Sequence, residues 1–221
     1  MTPEAALAAL EAGADAERAA GMAAYHKAPR RYLGVTNGEI DLRVAEWRAA
    51  LDVPGRVALA DGLWRTDVHE AMVAAAKLLI QARIPDDGPV WRLIASWAPG
   101  FDAWAVADSA ASAGERRLAA DPARLDEVEG WTNSENMWTR RAALTFTLHL
   151  AKGRFAPPEQ RERVLGWAAG YAADREWFIQ KAVAWWLRTL SKRDPERVRA
   201  FLAAHGEAMK AFARKEAGKY L

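Results

Sequence analysis

Apolar residues recur at helical spacing almost from end to end of this chain, and no stretch alternates apolar and polar residues with the Val, Ile and Thr enrichment of a strand. That pattern confines the chain to helix packed on helix. Helix starts are marked by an oxygen-bearing cap ahead of a helical run: Thr2 before Pro3, Thr36 with Glu39, Asp67 with Glu70, Asp121 before Pro122, and Asp194 before Pro195. Stops are expected at Gly34, at Asp86-Asp87-Gly88, and at Gly130, Gly153 and Gly206. These marks predict helices over 3–12, 16–28, 37–51, 54–63, 67–82, 89–98, 101–113, 122–129, 134–151, 158–173, 176–191, 195–204 and 207–218.

The loops between them are short, so successive helices should pack as antiparallel neighbours. The expected fold is all-α: a superhelical stack of antiparallel helix pairs, a degenerate HEAT-like α-solenoid, forming a single domain over residues 1–221. At 51% hydrophobic, 221 residues suffice for one well-buried core. Cysteine is absent, which removes disulfides, thiolate metal sites and thiol nucleophiles and fits a reducing cytoplasm. The opening MTPEAALAALEAGADAERAA does not read as a secretory signal, and no apolar run reaches the roughly 20 residues that span a bilayer. A soluble cytoplasmic protein is expected.

A formal charge of +2 is too small to imply a polyanionic partner, but its distribution says more. Acidic residues gather in DPARLDEVEG (121–130). Basic ones gather in HKAPRRY (26–32), at Arg140 and Arg141, and from Lys181 onward. Such local concentration suits a nucleic-acid face and equally suits a merely solvated surface.

Three helices carry more than packing. In REWFIQKAVAWWLRTLSK, Ile179, Val183, Trp186 and Leu190 form a core stripe, while Lys181, Trp185, Arg188 and Lys192 form a second one. An indole set in a line of cations suits a polyanion with stackable parts; alternatively, the Lys and Arg stems lie over it as it covers a neighbouring helix. In FDAWAVADSAAS, Trp104 and Asp108 share one face, with Ala103, Ala107 and Ala110 on the other. A carboxylate beside an indole is a candidate tuned acid, or simply a surface or helix-end aspartate. In SENMWTRRAALTFTLHLAKG, Arg141 shares a stripe with Trp138 and Thr145, so its guanidinium could be offered to a phosphate or paired with a neighbouring helix.

Several common chemistries lack their motifs. His69-Glu70-Ala71-Met72-Val73 starts like a zinc-protease helix without the second histidine, so no metal is expected. Neither a GxxxxGK[ST] nor a GxGxxG nor a GxSxG pattern occurs.

Read in order, Trp104-Ala-Val-Ala-Asp108, Asn136-Met-Trp-Thr-Arg-Arg141 and Phe178-Ile-Gln-Lys-Ala-Val-Ala-Trp185 resemble the AlkD-like DNA alkylation repair family. Tyr25 in GMAAYHKAPRRYLGV and the closing KEAGKYL also look like that family. The resemblance implies a superhelix with a basic concave face for DNA, and a glycosylase for N3- and N7-alkylated purines that needs no metal or organic cofactor. Trp104, Asp108 and Trp185 match its catalytic cluster; Tyr25 and Arg141 match DNA-contacting positions, with Arg140 the alternative one register away. Lys181, Arg188 and Lys192 extend the DNA-binding set. Ala184 stands where many relatives have glycine, and the connection from His149 to Trp177 is longer than in compact relatives.

The expected partner is double-stranded DNA bearing alkylated purines, bound by a monomer that joins the nucleoid when on DNA. The alternatives are a non-catalytic HEAT-like protein binding branched or damaged DNA and, third, a helical-repeat scaffold for proteins. Retention of Asp108 and both indoles favours excision.

Overall fold

The computed structural model describes residues 1–154 and 156–221 and is built of helices, with no named strand among the described residues. An isolated bridge joins Arg31 to Val68. The chain divides into two compact units, Met1–Ala120 and Asp121–Leu221.

The first unit holds α1 (Pro3–Glu11), α2 (Ala16–His26), α3 (Asn37–Ala50), α4 (Val53–Trp64), α5 (His69–Leu78), α6 (Gly88–Trp97) and α7 (Trp104–Ala120). Its centre is α5, against which α3, α4 and α7 all pack. The sequence HEAMVAAAKL permits this, because small alanines let three neighbours approach from different sides. Nine of its ten residues are buried, and only Lys77 reaches out, to Asp41 at 2.7 Å and Asn37 at 3.1 Å. Where α1 meets α4 the contact is so close that a Cβ on Gly62 would lie 2.2 Å from the Pro3 ring. Trp64 and Trp97 stack face to face at 4.0 Å, with Trp64 also covering Met72, Ala103 and Val106.

The capping box expected at Asp67 is not there. Asp67 takes a left-handed backbone (φ 51°), Val68 becomes the cap of α5, and no side chain caps it. Glu70 instead turns into the interior, where its carboxylate accepts from Leu33 N at 2.9 Å and Gly34 N at 2.8 Å. Gly34 is therefore no helix stop: it lies in the extended segment after α2, at φ 78°, with room for no Cβ beside Asp15 O. Thr36 and Glu39 do form the expected reciprocal box. The helix expected at 101–113 begins later and runs to Ala120, since Gly114 is buried inside it and does not end it. Buried Arg117 at its far end binds Asp87 at 2.8 Å and the carbonyls of Gln81 and Ala82, tying down the 79–87 loop.

The second unit holds α8 (Leu125–Trp131), α9 (Met137–Thr145), α10 (Leu148–Lys152), α11 (Pro158–Gly170), α12 (Trp177–Ser191), α13 (Pro195–His205) and α14 (Ala211–Ala217). Here α12 is central and meets α9, α10, α13 and α14. Its expected core stripe is fully buried, with Trp186 donating its indole N–H to Thr147 O at 3.4 Å. Buried Gln180 donates to the carbonyls of Tyr171, Ala172 and Asp174, each at 3.0 Å, and accepts from Lys210 N at 2.9 Å. That one amide fixes both the loop entering α12 and the start of α14, which begins at 211 and not at the expected 207.

The helix expected over 134–151 is two helices. Thr147 leaves helical geometry (φ −98°, ψ 9°) while its hydroxyl donates back to the carbonyls of Ala143 and Leu144, the kind of side-chain competition that bends and breaks helices. Gly130 lies inside α8 and does not stop it, and the expected 122–129 helix opens with a tight turn over Pro122–Arg124.

Candidate nucleic-acid interface

In the first unit α7 starts at Trp104, and Asp108 follows one turn later on the same side; both are half-buried. Tyr25, at the end of α2, is 70% exposed and meets the Trp104 indole edge-on at 5.8 Å. Tyr25 and Trp104 are thus in contact, and Asp108 shares α7 with Trp104. Beneath them lies an aromatic stack that sequence reading missed. His26 packs on Trp104 at 5.1 Å and on His69 at 4.5 Å, and His69 packs on Tyr32 at 4.9 Å.

Burial disfavours the protonated form of both imidazoles. Desolvation drives the pKa of His69 down to about 3, helped by His26 and Arg30 nearby. Desolvation also lowers that of His26, against the opposing pull of Glu70. The available signal was a histidine on an alanine-rich helix with no polar face, which means a buried ring. Among the described residues no group of His, Asp and Glu is arranged to hold a metal ion.

Two arginines of the basic stretch 26–32 are answered by acids. The Arg30 side chain is buried against Asp102 and Asp67, and Arg31 pairs with Glu11 at 2.7 Å. The acids that neutralise them come from sequence-distant elements and were not visible in the local run. A separate cavity of about 740 Å³ lies between α4 and α6, bordered by Val57, Pro89, Leu93 and Arg92, and none of the expected site residues lines it.

In the second unit the predicted cationic stripe exists along α12, with its partners also in place. Glu216 of α14 accepts from Arg188 at 2.7 Å and sits 3.5 Å from Lys181. Lys192 lies over the Tyr220 ring at 4.5 Å. Trp185 is half-buried between these cations. Arg141 is buried, donates to Phe178 O at 2.9 Å and lies 6.0 Å from the Phe178 ring centre. The aromatic beside it comes from α12, whereas Trp138 of its own helix packs on the same phenyl ring at 4.6 Å. Arg140 donates to the carbonyls of Ser134 and Glu135 and faces Asp174 at 3.6 Å.

This architecture is that of the HEAT-like repeat proteins. A structure described as a predicted DNA alkylation repair enzyme from Enterococcus faecalis superposes with a TM-score of 0.78 at 22% identity, covering 94% of this chain and 96% of that one. AlkD2 from Streptococcus mutans gives a TM-score of 0.62 at 20% identity, with 84% and 90% covered. A member of a family related to the HEAT-like repeat DNA glycosylases, with affinity for branched DNA structures, gives 0.74 at 16% identity, with 99% and 93% covered. No curated protein sequence matches the chain. The sequence pattern of the family described as DNA alkylation repair enzyme matches residues 6–221, and the chain belongs to that family. No helix among the described residues is long and apolar enough to cross a membrane.

Proposed function

We propose that the protein is a DNA glycosylase that excises cationic N3- and N7-alkylated purines from duplex DNA. The observation that carries the reading is the group on α7 and α2: Asp108 one turn from Trp104, with the exposed Tyr25 against the indole. Alkylation at N3 or N7 leaves the purine positively charged, so its glycosidic bond is already weak and breaks through an oxocarbenium-like sugar. The protein then needs to stabilise a cation more than to activate a leaving base. An anionic Asp108 would do this and orient the incoming water, and the π face of Trp104 would favour positive charge.

Trp185 is assigned to the same chemistry by its match to the family motif. Lys181, Arg188 and Lys192 are assigned to phosphates, and Tyr25 to the DNA backbone. Arg140 and Arg141, expected to contact DNA, are held by backbone carbonyls, so their proposed part in DNA binding is to brace α9 and not to reach a phosphate. No acid positioned to protonate a neutral base is part of this scheme, so 7-methylguanine and 3-methyladenine should be released while uracil and 8-oxoguanine stay.

The test is release of 7-methylguanine from duplex DNA by the wild type and by Asp108→Asn. Release that depends on Asp108 supports the reading, and efficient uracil excision refutes the mechanism. A second reading, binding of branched DNA without excision, is favoured by the related branched-DNA protein, whose fold covers 99% of this chain. Tight binding with no base released would select it.

A further inference from the structure

Large aromatic rings are seldom left in water, yet the second unit exposes Trp177 to 47% and Tyr220 to 46%. They stand at opposite ends of the stripe on α12. Trp177 opens the helix, supported on one side by Phe212 at 5.7 Å and Phe178 at 4.9 Å. Tyr220 closes the far end beside Lys192. Each ring has an ammonium over it: Lys181 lies 5.0 Å from the Trp177 ring centre, while Lys192 and Lys219 lie 4.5 and 5.6 Å from that of Tyr220.

The charge of this surface is one-sided. Residues 177–192 carry Lys181, Arg188 and Lys192 and no acid, and residues 211–221 carry Arg214, Lys215 and Lys219 against the single acid Glu216. A polyanion is the matching partner. Two exposed rings select among polyanions, because base–aromatic stacking needs a flat π surface and accepts any base, whereas a paired duplex keeps its bases inside its own stack. The ammonium over each ring is the group that the phosphate of an arriving nucleotide would draw away, leaving the ring to the base.

We infer that the α12–α14 surface binds unpaired nucleotides adjoining the duplex, with Trp177 and Tyr220 as stacking platforms and Lys181, Lys192 and Lys219 as their phosphate partners. This rests on DNA being the ligand, as proposed above, and adds which DNA: a duplex with a single-stranded extension or a locally opened strand. Glu216 holds Lys181 and Arg188 in place in the free protein.

The test measures affinity for a blunt duplex and for the same duplex carrying a short oligo-dT extension, by fluorescence anisotropy at fixed salt. Wild type should bind the extended duplex at least about fivefold tighter, the lower end of one stacked base. Trp177→Ala and Tyr220→Ala should each reduce that preference while keeping blunt-duplex affinity, and Trp177→Phe should restore it. Thermal melting of each variant checks the fold, and Tyr220→Ala stands in if Trp177→Ala loosens α14. Equal affinity of the wild type for both duplexes overturns the inference and leaves the duplex reading intact. A preference that survives both alanine variants, or a loss shared equally by both duplexes, also overturns it. Failure to bind either duplex overturns this inference and the DNA-binding reading together.

Discussion

Each unit is organised around one central helix, α5 in the first and α12 in the second, and the first turn of each carries a buried polar side chain that fastens a neighbouring segment. Glu70 gathers two backbone N–H groups from the segment after α2, and Gln180 gathers three carbonyls from the segment before α12 together with the N–H of Lys210. The task is the same, fastening an irregular segment to the core, and the residue type follows the sign of the groups to be satisfied. An acceptor-only carboxylate meets donors, and an amide that donates and accepts meets a mixed set. The helices differ in what they leave outside. Alanine-rich α5 is covered on nearly every side and presents only Lys77, so the outward chemistry of its unit falls to α2 and α7. The larger residues of α12 fill a core on one side and leave a cationic, aromatic stripe on the other.

The largest expected effect tests that shared fastening. Glu70→Ala orphans two buried N–H groups and should cost about 3 kcal/mol or more. Gln180→Ala frees mainly carbonyls, which tolerate the loss of a partner better, and should cost less. Denaturant unfolding of both variants measures the difference. A Gln180→Ala loss equal to or larger than that of Glu70→Ala would break the comparison.

Next comes Asp108→Asn, which keeps the shape of α7 and removes the proposed anion. Excision of 7-methylguanine should fall by ~10²-fold or more with melting unchanged. Wild-type rates from the folded variant would remove Asp108 from the chemistry and leave the first unit without its proposed catalytic group.

The all-α class, the order of helices and the core stripe of α12 were legible because periodicity and caps are local signals. Thr36 with Glu39 reads correctly for that reason. Asp67 with Glu70 reads wrongly, because the same pattern gave way to a tertiary demand: the N–H groups of Leu33 and Gly34 lie more than thirty residues back in the chain and had no other partner of this kind. Site legibility divides in the same way. The spacing of Trp104 and Asp108, and of Lys181, Arg188 and Lys192, was visible on single helices. Glu11, Asp102 and Glu216, which decide which of the cations are neutralised, lie on other elements.

The stacked histidines make a third, smaller effect that belongs to the first unit. In the fold His69 resists protonation down to about pH 3, whereas in the unfolded chain it takes a proton near its ordinary value of 6.5. Between those values the unfolded state binds more protons, so stability rises with pH through this window and is lost as pH falls from 6.5 toward 3. Between pH 7 and 5 the loss from His69 is about 2 kcal/mol, with His26 acting in the same direction. Melting temperatures of wild type and His69→Phe across this range test it. An acid-induced decline of the same size in both proteins would assign the effect to other groups.

The smallest effect is the sharpest on surface charge, because it compares one cation from each unit. Arg31 is paired with Glu11 at 2.7 Å, and its charge is answered within its own unit. Lys192 has a π face as the partner seen here, a contact that screens no charge and is readily exchanged for a phosphate. Each phosphate contact releases condensed counterions, so losing one should shallow the dependence of log affinity on log salt by about one unit. Lys192→Gln should therefore flatten the salt dependence of duplex binding by about that amount, with little change in melting temperature. Arg31→Gln should leave the slope unchanged, since removing it leaves Glu11 as an added negative charge without subtracting a phosphate contact. Titrations by fluorescence anisotropy at several salt concentrations give both slopes. Equal flattening by the two variants would mean that Arg31 exchanges Glu11 for phosphate, and the contrast between a neutralised Arg31 and an available Lys192 would fall.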